Sequence, residues 1–329
     1  MRMADAEKRI SGIVSGFTDE EIRDCRRLSG GHINESYSLK CGGKEYILQG
    51  LREELFGKCT EKLEHNYRSY VRACKKADFA WELPRWIPDR EGHFFFRDED
   101  GLPWRMYEAI PGETLTAPFS REQIRACGEG LSKLHAILTE TDEAPQPVLP
   151  KLHDLRAYYE EYRQAVKQTG MEKPFRDPAL EELIGSRAEK LISEGLPGKH
   201  IIHGDARIGN GIFREGRMVA MIDLDTLMEG PRLLDIADCI RSCCMREGVP
   251  DPDGIGLFTE AYRKHAYPEL SREEGEALPY ALERVCFTLG LRYYTDHLRG
   301  NKYFKQDHPG RNLEKAAAYL RFSRENTGF

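Results

Sequence analysis

HGDARIGNGIFREGRMVAMIDLD, residues 203–225, decides how the rest of this chain of 329 residues is read. It places a carboxylate, Asp205, a short fixed distance ahead of an amide, Asn210, just before an apolar run. Phosphoryl transfer needs that pair: a carboxylate to orient the attacking hydroxyl and a nearby oxygen ligand for magnesium. A polar turn is the plain alternative. A bare H-G-D triplet arises by chance in roughly one chain in 25 of this length, and requiring the Asn as well makes the pattern roughly twentyfold rarer.

The same stretch allows a geometric test. GIF and MVAMI are apolar runs separated by REGR, whose Gly216 suits a tight turn, so residues 211–222 are predicted to form an antiparallel hairpin. A turn centred between Glu215 and Gly216 sets Asn210 opposite Met221 and Asp223 opposite Ile208. At about 3.3 Å per residue, Asn210 and Asp223 then lie close together at the open end of the hairpin, where they can share a cation. Magnesium takes hard oxygen ligands, one or two of them carboxylates, with phosphates and water completing the shell. Asp223 also follows an apolar run, a costly place for a carboxylate unless a cation or donor compensates it, the alternative being a capping or salt-bridged structural Asp. Asp225 points into the cleft if the strand continues; otherwise it is structural. His203 reads as a satisfied histidine anchoring the loop rather than as a proton-transfer group.

Composition narrows the classes. A chain this long, with 40% hydrophobic residues, suggests two lobes, each with its own core. A net charge of −6 provides no field to hold nucleic acid or an anionic membrane. The nine cysteines form no C-x-x-C pattern and are odd in number, which points to a reduced, cytoplasmic protein. Cys239 and Cys243 share a helical face without a His or second Cys pair to complete a zinc set, so packing is expected of them. MRMADAEKRI lacks the apolar core of a secretion signal, and no apolar run approaches the roughly 20 residues of a membrane span.

Along the chain, a charged opening helix precedes SYSLKCGGKEYIL, a hairpin turning at Gly42-Gly43. EKLEHNYRSYVRACKKA puts Leu63, Tyr67, Tyr70, Val71 and Cys74 at helical spacing, and strand-like runs follow at GHFFFR and PWRMYEAI. Pro111-Gly112 then punctuates the chain, and residues 106–113 read as a hinge. Beyond it, SREQIRACGEGLSKLHAIL opens with Ser120 and Gln123 in capping-box positions and carries Ile124, Cys127, Leu131, Leu134 and Leu138 as a buried stripe. TDEAPQPVLP reads as a surface connection, LHDLRAYYEEYRQAVKQ as an amphipathic helix, and the C-terminal third as at least three helices. The expected fold is α+β: a small, mainly β N-terminal lobe (1–108), a larger, mainly α C-terminal lobe (109–329), and a cleft between them.

LSGGHINESY presents Gly30 and Gly31 before a strand, where their amides can approach nucleotide phosphates closely; a simple turn is the other reading. EYILQ carries Gln49 where kinases usually place a phosphate-contacting Lys. It can donate a hydrogen bond but no charge, so magnesium and other basic groups would have to compensate.

With these residues in hand, the chain resembles the aminoglycoside phosphotransferase and choline kinase superfamily, whose members share a protein-kinase-like bilobal fold. The likeness extends over GHINESY, YILQ, WRMYEAI, HGDARIGN, MIDLDTLMEGPRLLDIADCIR, LRYYTDHLRGNKYF and HPGRNL. Within the superfamily it is most similar to N-acetylhexosamine 1-kinases and related sugar kinases, chiefly through IDLDT and LRYYTDHL. The resemblance implies that Asp205 is the catalytic carboxylate and that Asn210 and Asp223 bind magnesium. It implies that the backbone of residues 106–110, with Met106, Tyr107 and Glu108, holds the adenine of ATP, and that Gln49 is the residue this subgroup uses on its strand. Asp235 corresponds to the acid that braces the catalytic loop. His32 and Arg292 fall where hexosamine kinases contact sugar, with packing or a surface ion pair as the other reading of each. The expectation is an ATP- and magnesium-dependent kinase of a small hydroxyl-bearing metabolite, foremost the anomeric hydroxyl of an N-acetylhexosamine. A kinase of an amino alcohol or aminoglycoside is the second reading, and a non-catalytic nucleotide sensor on the same fold the third.

Overall fold

The computed structural model describes residues 3–28, 34–77, 79–169 and 176–323. Its N-terminal part comprises α1 (Met3–Val14), β1 (Ile22–Arg27), β2 (Glu35–Cys41), β3 (Lys44–Gly50), α2 (Glu53–Phe56), α3 (Thr60–Lys76), β4 (Trp86–Ile87), β5 (Phe96–Arg97) and β6 (Pro103–Glu108). These strands form one antiparallel sheet in the order β1-β2-β3-β6-β4, with β5 also on β6. Gly42 and Gly43 make the β2–β3 turn at φ of 55° and 80°, values that glycine adopts without steric penalty.

Strand alternation then sorts the side chains of β6. Trp104 and Met106 enter a core covered by Ile10, Ile13 and Val14 of α1, which leaves Arg105 and Tyr107 on the opposite face. That second face packs against Leu63 and Tyr67 of α3, with Trp86 stacked on Tyr67 at 4.1 Å between ring centroids. The strand expected over GHFFFR shrinks to Phe96–Arg97, because Phe94 and Phe95 turn their rings onto Tyr67 and Trp86 instead of joining the ladder.

After β6 the chain passes to the helical part. Glu113 exchanges both backbone hydrogen bonds with Phe213, at 2.9 and 2.8 Å, so the hinge is tied to the hairpin carrying the candidate site. Gly112 permits this approach, since a Cβ there would lie 2.6 Å from the Phe213 carbonyl oxygen. Then follow α4 (Arg121–Thr139), α5 (Leu155–Thr169), α6 (Pro178–Ser193), β7 (His200–Ile202), β8 (Gly211–Arg214), β9 (Arg217–Met221), β10 (Met228–Gly230) and α7 (Leu233–Cys244). A small hairpin of β11 (Met245–Arg246) and β12 (Val249–Pro250) leads to α8 (Pro252–His265), α9 (Arg272–Leu298) and α10 (Arg311–Leu320).

Helix α4 is the spine of this region. Ser120 and Gln123 form the expected capping box, with bonds of 3.2 and 2.8 Å. Ile124, Cys127, Leu131, Leu134 and Leu138 are all buried, packed into a core shared with α7, α8 and α9. Burying each leucine stabilises the fold by about 1.5–3 kcal/mol relative to leaving it exposed. Connection 141–150 lies largely on the surface, yet it is pinned to α3 through reciprocal bonds between Asn66 and the backbone of Gln146 at 2.9 and 2.8 Å. All nine cysteines are free thiols, with Cys239 and Cys243 in the core. Among the described residues no helix is long and apolar enough to cross a membrane. The architecture is therefore α+β, a β-rich N-terminal sheet followed by a helical C-terminal region.

Candidate active site

The loop after β7 is held from beneath. Asp235, in the first turn of α7 and 1% exposed, accepts the amides of His203 and Gly204 at 2.7 and 2.9 Å. It also accepts from His135 Nε2 at 3.1 Å, and His135 Nδ1 meets the Tyr262 hydroxyl at 2.7 Å. Burial pushes the Asp235 carboxyl up, but His135, His203 and the Gly204 amide outweigh it and hold it below the usual range. Gly204 sits at φ 83°, and a Cβ there would lie 2.4 Å from the Thr226 carbonyl oxygen, so this position requires glycine. His203 is fully buried: its Nε2 donates to the Ile222 carbonyl at 3.0 Å and its Nδ1 accepts the Asp205 amide at 3.3 Å.

The hairpin that follows brings Asn210 and Asp223 together; its register is as expected beside the turn, where Phe213 faces Met218 and Arg214 faces Arg217, and one residue off at the open end. Met221 faces Gly211 rather than Asn210, and Asn210 accepts instead from the Ile222 amide at 2.8 Å. The cause is a bulge between the Ile212 and Phe213 pairs, which leaves Val219 without a partner on β8. Its carbonyl accepts from the Glu82 amide at 2.8 Å, outside the hairpin. The extra residue draws Asp223 closer to Asn210.

Asp205, Asn210 and Asp223 consequently share one corner. Asn210 donates its Nδ2 to the Asp205 carbonyl at 2.7 Å and to its Oδ2 at 3.0 Å, which leaves the amide oxygen Oδ1 for another partner. Arg207 Nε donates to the same Oδ2 at 3.3 Å, while the Asp205 side chain keeps 37% exposure, enough for an incoming hydroxyl to reach it. Burial pushes the Asp205 carboxyl up, but Arg207, His203 and Asn210 outweigh it, so the group is ionised at neutral pH.

Asp223 is the opposite case. It adopts left-handed backbone angles of 67° and 52°, unusual for a residue with a Cβ. Burial and the neighbouring Asp225 and Asp205 push its carboxyl up to about 7, with Arg105 and Arg207 only partly offsetting them. A partly buried acid crowded by acids, with no donor among the described residues and close to the free amide oxygen end of Asn210, suits a divalent cation. The residues therefore fit a divalent cation such as magnesium, which Asn210 and Asp223 would hold. Among the described residues no group of three or more His, Cys, Asp or Glu is arranged to hold a metal. Phosphate oxygens and water would complete the shell.

Asp225 does not continue a strand. The chain leaves β9 through Asp223 into a tight turn, Leu224–Thr226, because the left-handed residue reverses its course. Asp225, 2% exposed, is held by Arg105, whose Nη1 and Nη2 donate to Oδ1 and Oδ2 at 2.5 and 2.9 Å. Both carboxylate oxygens are thereby engaged, so any substrate contact would have to compete with a guanidinium. Arg105 also donates to Gln49 Oε1 from Nε at 2.9 Å and from Nη2 at 2.5 Å. Neither Arg105 nor His135 was singled out from sequence, although each is a polar residue on an otherwise apolar face.

The remaining candidates are spread around this centre. Met106 is buried in the N-terminal core, and the Glu108 and Ala109 amides donate to Arg85 and Glu45 at 3.0 and 2.9 Å. Within 106–110 the Ile110 amide donates to no described residue, so it is free for a ligand. Tyr107 is partly buried, and desolvation pushes its hydroxyl up to about 12, with Asp223 and Asp225 adding to the rise. Arg292 on α9 lies over the rings of Tyr158, Tyr303 and Phe304, at 5.1, 5.6 and 5.6 Å from their centroids. Gly30, Gly31 and His32 lie outside the described residues.

The chain has a kinase-like fold. The amicoumacin kinase hAmiN in complex with AMP-PNP, Ca2+ and Ami shares it at 14% identity, over 99% of this chain and 96% of that one, with a TM-score of 0.69. An aminoglycoside phosphotransferase from Alicyclobacillus acidocaldarius subsp. acidocaldarius DSM 446 does so at 14% identity, over 96% and 93%, with a TM-score of 0.62. The streptomycin-ATP-APH(2")-IIa ternary complex does so at 12% identity, over 100% and 99%, with a TM-score of 0.61. The profile of the phosphotransferase enzyme family matches residues 24–270, and the chain belongs to that family.

Proposed function

We propose that this protein is an ATP- and magnesium-dependent kinase that phosphorylates a hydroxyl of a neutral sugar, foremost the anomeric hydroxyl of an N-acetylhexosamine or related hexose. The observation that carries the reading is the shared corner of Asp205, Asn210 and Asp223, one carboxylate ionised and reachable beside a cation-hungry pair. Residues 1–108 would serve as the nucleotide-binding lobe and 109–329 as the catalytic and acceptor-binding lobe. The Ile110 amide is then the group available to the adenine, and Gly30 and Gly31 would be the glycines that meet the phosphates.

Asp205 orients the acceptor hydroxyl and takes its proton as the bond to the transferred phosphorus forms and the bridging bond to the leaving ADP oxygen breaks. His203 and Asp235 act on this step by holding the loop. When bound by Asn210 and Asp223, magnesium supplies charge neutralisation at the β- and γ-phosphates.

What supports this acceptor class is the charge near Arg207 and α9. Arg207 flanks Asp205, and the hydroxyl of Tyr293, next along α9 from Arg292, feels Arg241, Arg292, Arg311 and Arg207. Arginines beside aromatic rings favour a neutral, hydroxyl-rich acceptor over a polycation. Similar solved structures with AMP-PNP or ATP bound support the nucleotide, while the streptomycin complex and the aminoglycoside phosphotransferase among them support a cationic acceptor as the second reading. ADP release measured across N-acetylhexosamines, hexoses, choline and aminoglycosides tests the choice. Turnover with an N-acetylhexosamine is expected. Release with aminoglycosides alone would overturn the sugar assignment, and tight ATP binding without turnover of any acceptor would favour a nucleotide sensor.

A further inference from the structure

Arg105 has no task in the mechanism above, yet it is among the most completely bound side chains in the molecule. It is 3% exposed, with its guanidinium carbon 4.9 Å from the centroid of the Trp86 ring. Its nitrogens reach partners 56 residues upstream in β3 and 120 residues downstream in the turn after Asp223. Gln49 and Arg105 are direct cross-strand partners, so this contact is built into the sheet register rather than into a flexible loop.

Each end of the contact has a consequence. On β3, Arg105 consumes Gln49 Oε1, which fixes the amide orientation and turns Nε2 toward β2, where Ser36 Oγ lies 3.3 Å away. In the turn, Arg105 holds Asp225 by both oxygens, two residues beyond Asp223 in its left-handed conformation. A tethered Asp225 keeps that turn from relaxing and keeps the Asp223 carboxylate at the mouth of the hairpin.

We infer that Arg105 is a positioning residue that sets the Gln49 donor and the Asp223 ligand relative to each other, providing from β6 the interlobe cation–carboxylate tie that Gln49 cannot provide from β3. In protein kinases a comparable ion pair, within the N-terminal lobe, joins a strand lysine to a helix glutamate. Here the cation sits one strand over, and its carboxylate lies beside the metal ligand itself. The inference rests on reading Asp223 as a cation ligand.

The test is calorimetric binding of ADP to the full chain at graded Mg2+, for the wild type and for Arg105→Lys, Arg105→Met, Asp225→Asn and the double variant Arg105→Met/Asp225→Asn. Circular dichroism identifies the folded variants. In folded Arg105→Met, the Mg2+ concentration giving half of the full gain in ADP affinity is expected to rise at least about tenfold, as for other residues that orient a metal ligand. Affinity for ADP without Mg2+ should change far less. Asp225→Asn should reproduce the shift, the double variant should not add to it, and Arg105→Lys should restore part of it. An unchanged Mg2+ midpoint in folded Arg105→Met overturns the inference. If that variant does not fold, unchanged midpoints in Asp225→Asn and Arg105→Lys do so equally. A wild type whose ADP affinity ignores Mg2+ would instead overturn the reading of Asp223, and the inference with it.

Discussion

Two buried arginine–carboxylate pairs, Arg232–Glu274 and Arg105–Asp225, share their chemistry and differ in their surroundings. Arg232 grips Glu274 through Nε and Nη2, both at 2.7 Å, and spends its other donors on the carbonyls of Pro268 and Glu269. Glu274 in turn accepts the Ser271 amide at 2.9 Å as part of the capping box of α9. Everything charged there is answered locally. Arg105–Asp225 is as tight, but it adjoins Asp223, whose own carboxylate has no donor among the described residues and is crowded by Asp225 and Asp205. One pair closes a structural joint; the other borders a deliberate excess of negative charge. The lesson is that burial and ion pairing do not mark a functional site by themselves. What marks it is the acid left over once the pairs are counted.

The strongest way to break this comparison is to remove an acid from each region. Asp205→Asn is expected to lower kcat by about 10²- to 10⁴-fold while ADP still binds. Glu274→Gln should leave the turnover of its folded fraction close to wild type. Near-native kcat for Asp205→Asn would end its assignment as the catalytic carboxylate. Next in size, Arg232→Met strands a buried glutamate and is expected to destabilise the protein by about 3–5 kcal/mol in denaturant titrations. A loss well below that would mean the pair is not the joint described here.

pH sharpens the contrast, because the two sites carry opposite signs. Burial raises the Glu274 carboxyl, but Arg232 and the Ser271 amide outweigh it and bring it down to about 2, below its ordinary value of 4.5. Its contribution is therefore present above about pH 4.5 and lost as pH falls toward 2. Asp223, raised from 3.8 to about 7, keeps a proton in the cation-free folded protein that the unfolded chain has already released. Its contribution therefore declines as pH rises from about 4 to about 7, and Asp223→Asn should flatten that slope in thermal melts without divalent cations. A slope that survives the substitution would place its origin elsewhere. The smallest effect belongs to the helix caps. Ser120→Ala, which removes one bond of the α4 capping box, is expected to cost about 1 kcal/mol in the same denaturant titrations.

Much of the local structure was legible in the residues themselves. The Gly42-Gly43 turn, the Ser120–Gln123 box and the buried stripe of α4 depend on neighbours a few positions apart, and each formed where expected. The hairpin at 211–222 was legible in the same way, and it brought Asn210 and Asp223 to one end. Its register at the open end was not, because a bulge intervenes and the Val219 carbonyl finds its partner at Glu82, far outside the hairpin. The strand expected at GHFFFR failed for a related reason. Whether a run of aromatics pairs as a strand or packs as side chains depends on what faces it, and here Tyr67 and Trp86 do.

By itself, then, the order of residues determined the turns, the caps, the amphipathic faces and the spacing of the acid and amide that frame the proposed chemistry. Those features rest on backbone dihedral preferences and hydrogen bonds within a turn or two, which each short segment carries wherever it is placed. Only the tertiary structure decided that Arg105 meets Asp225 across 120 residues and that His135 props Asp235 across 100. It alone decided that Asp223 is left with more negative charge around it than the protein neutralises. Charges interact through space, and which of them come within a few ångströms of one another is settled when the sheet and the helices pack.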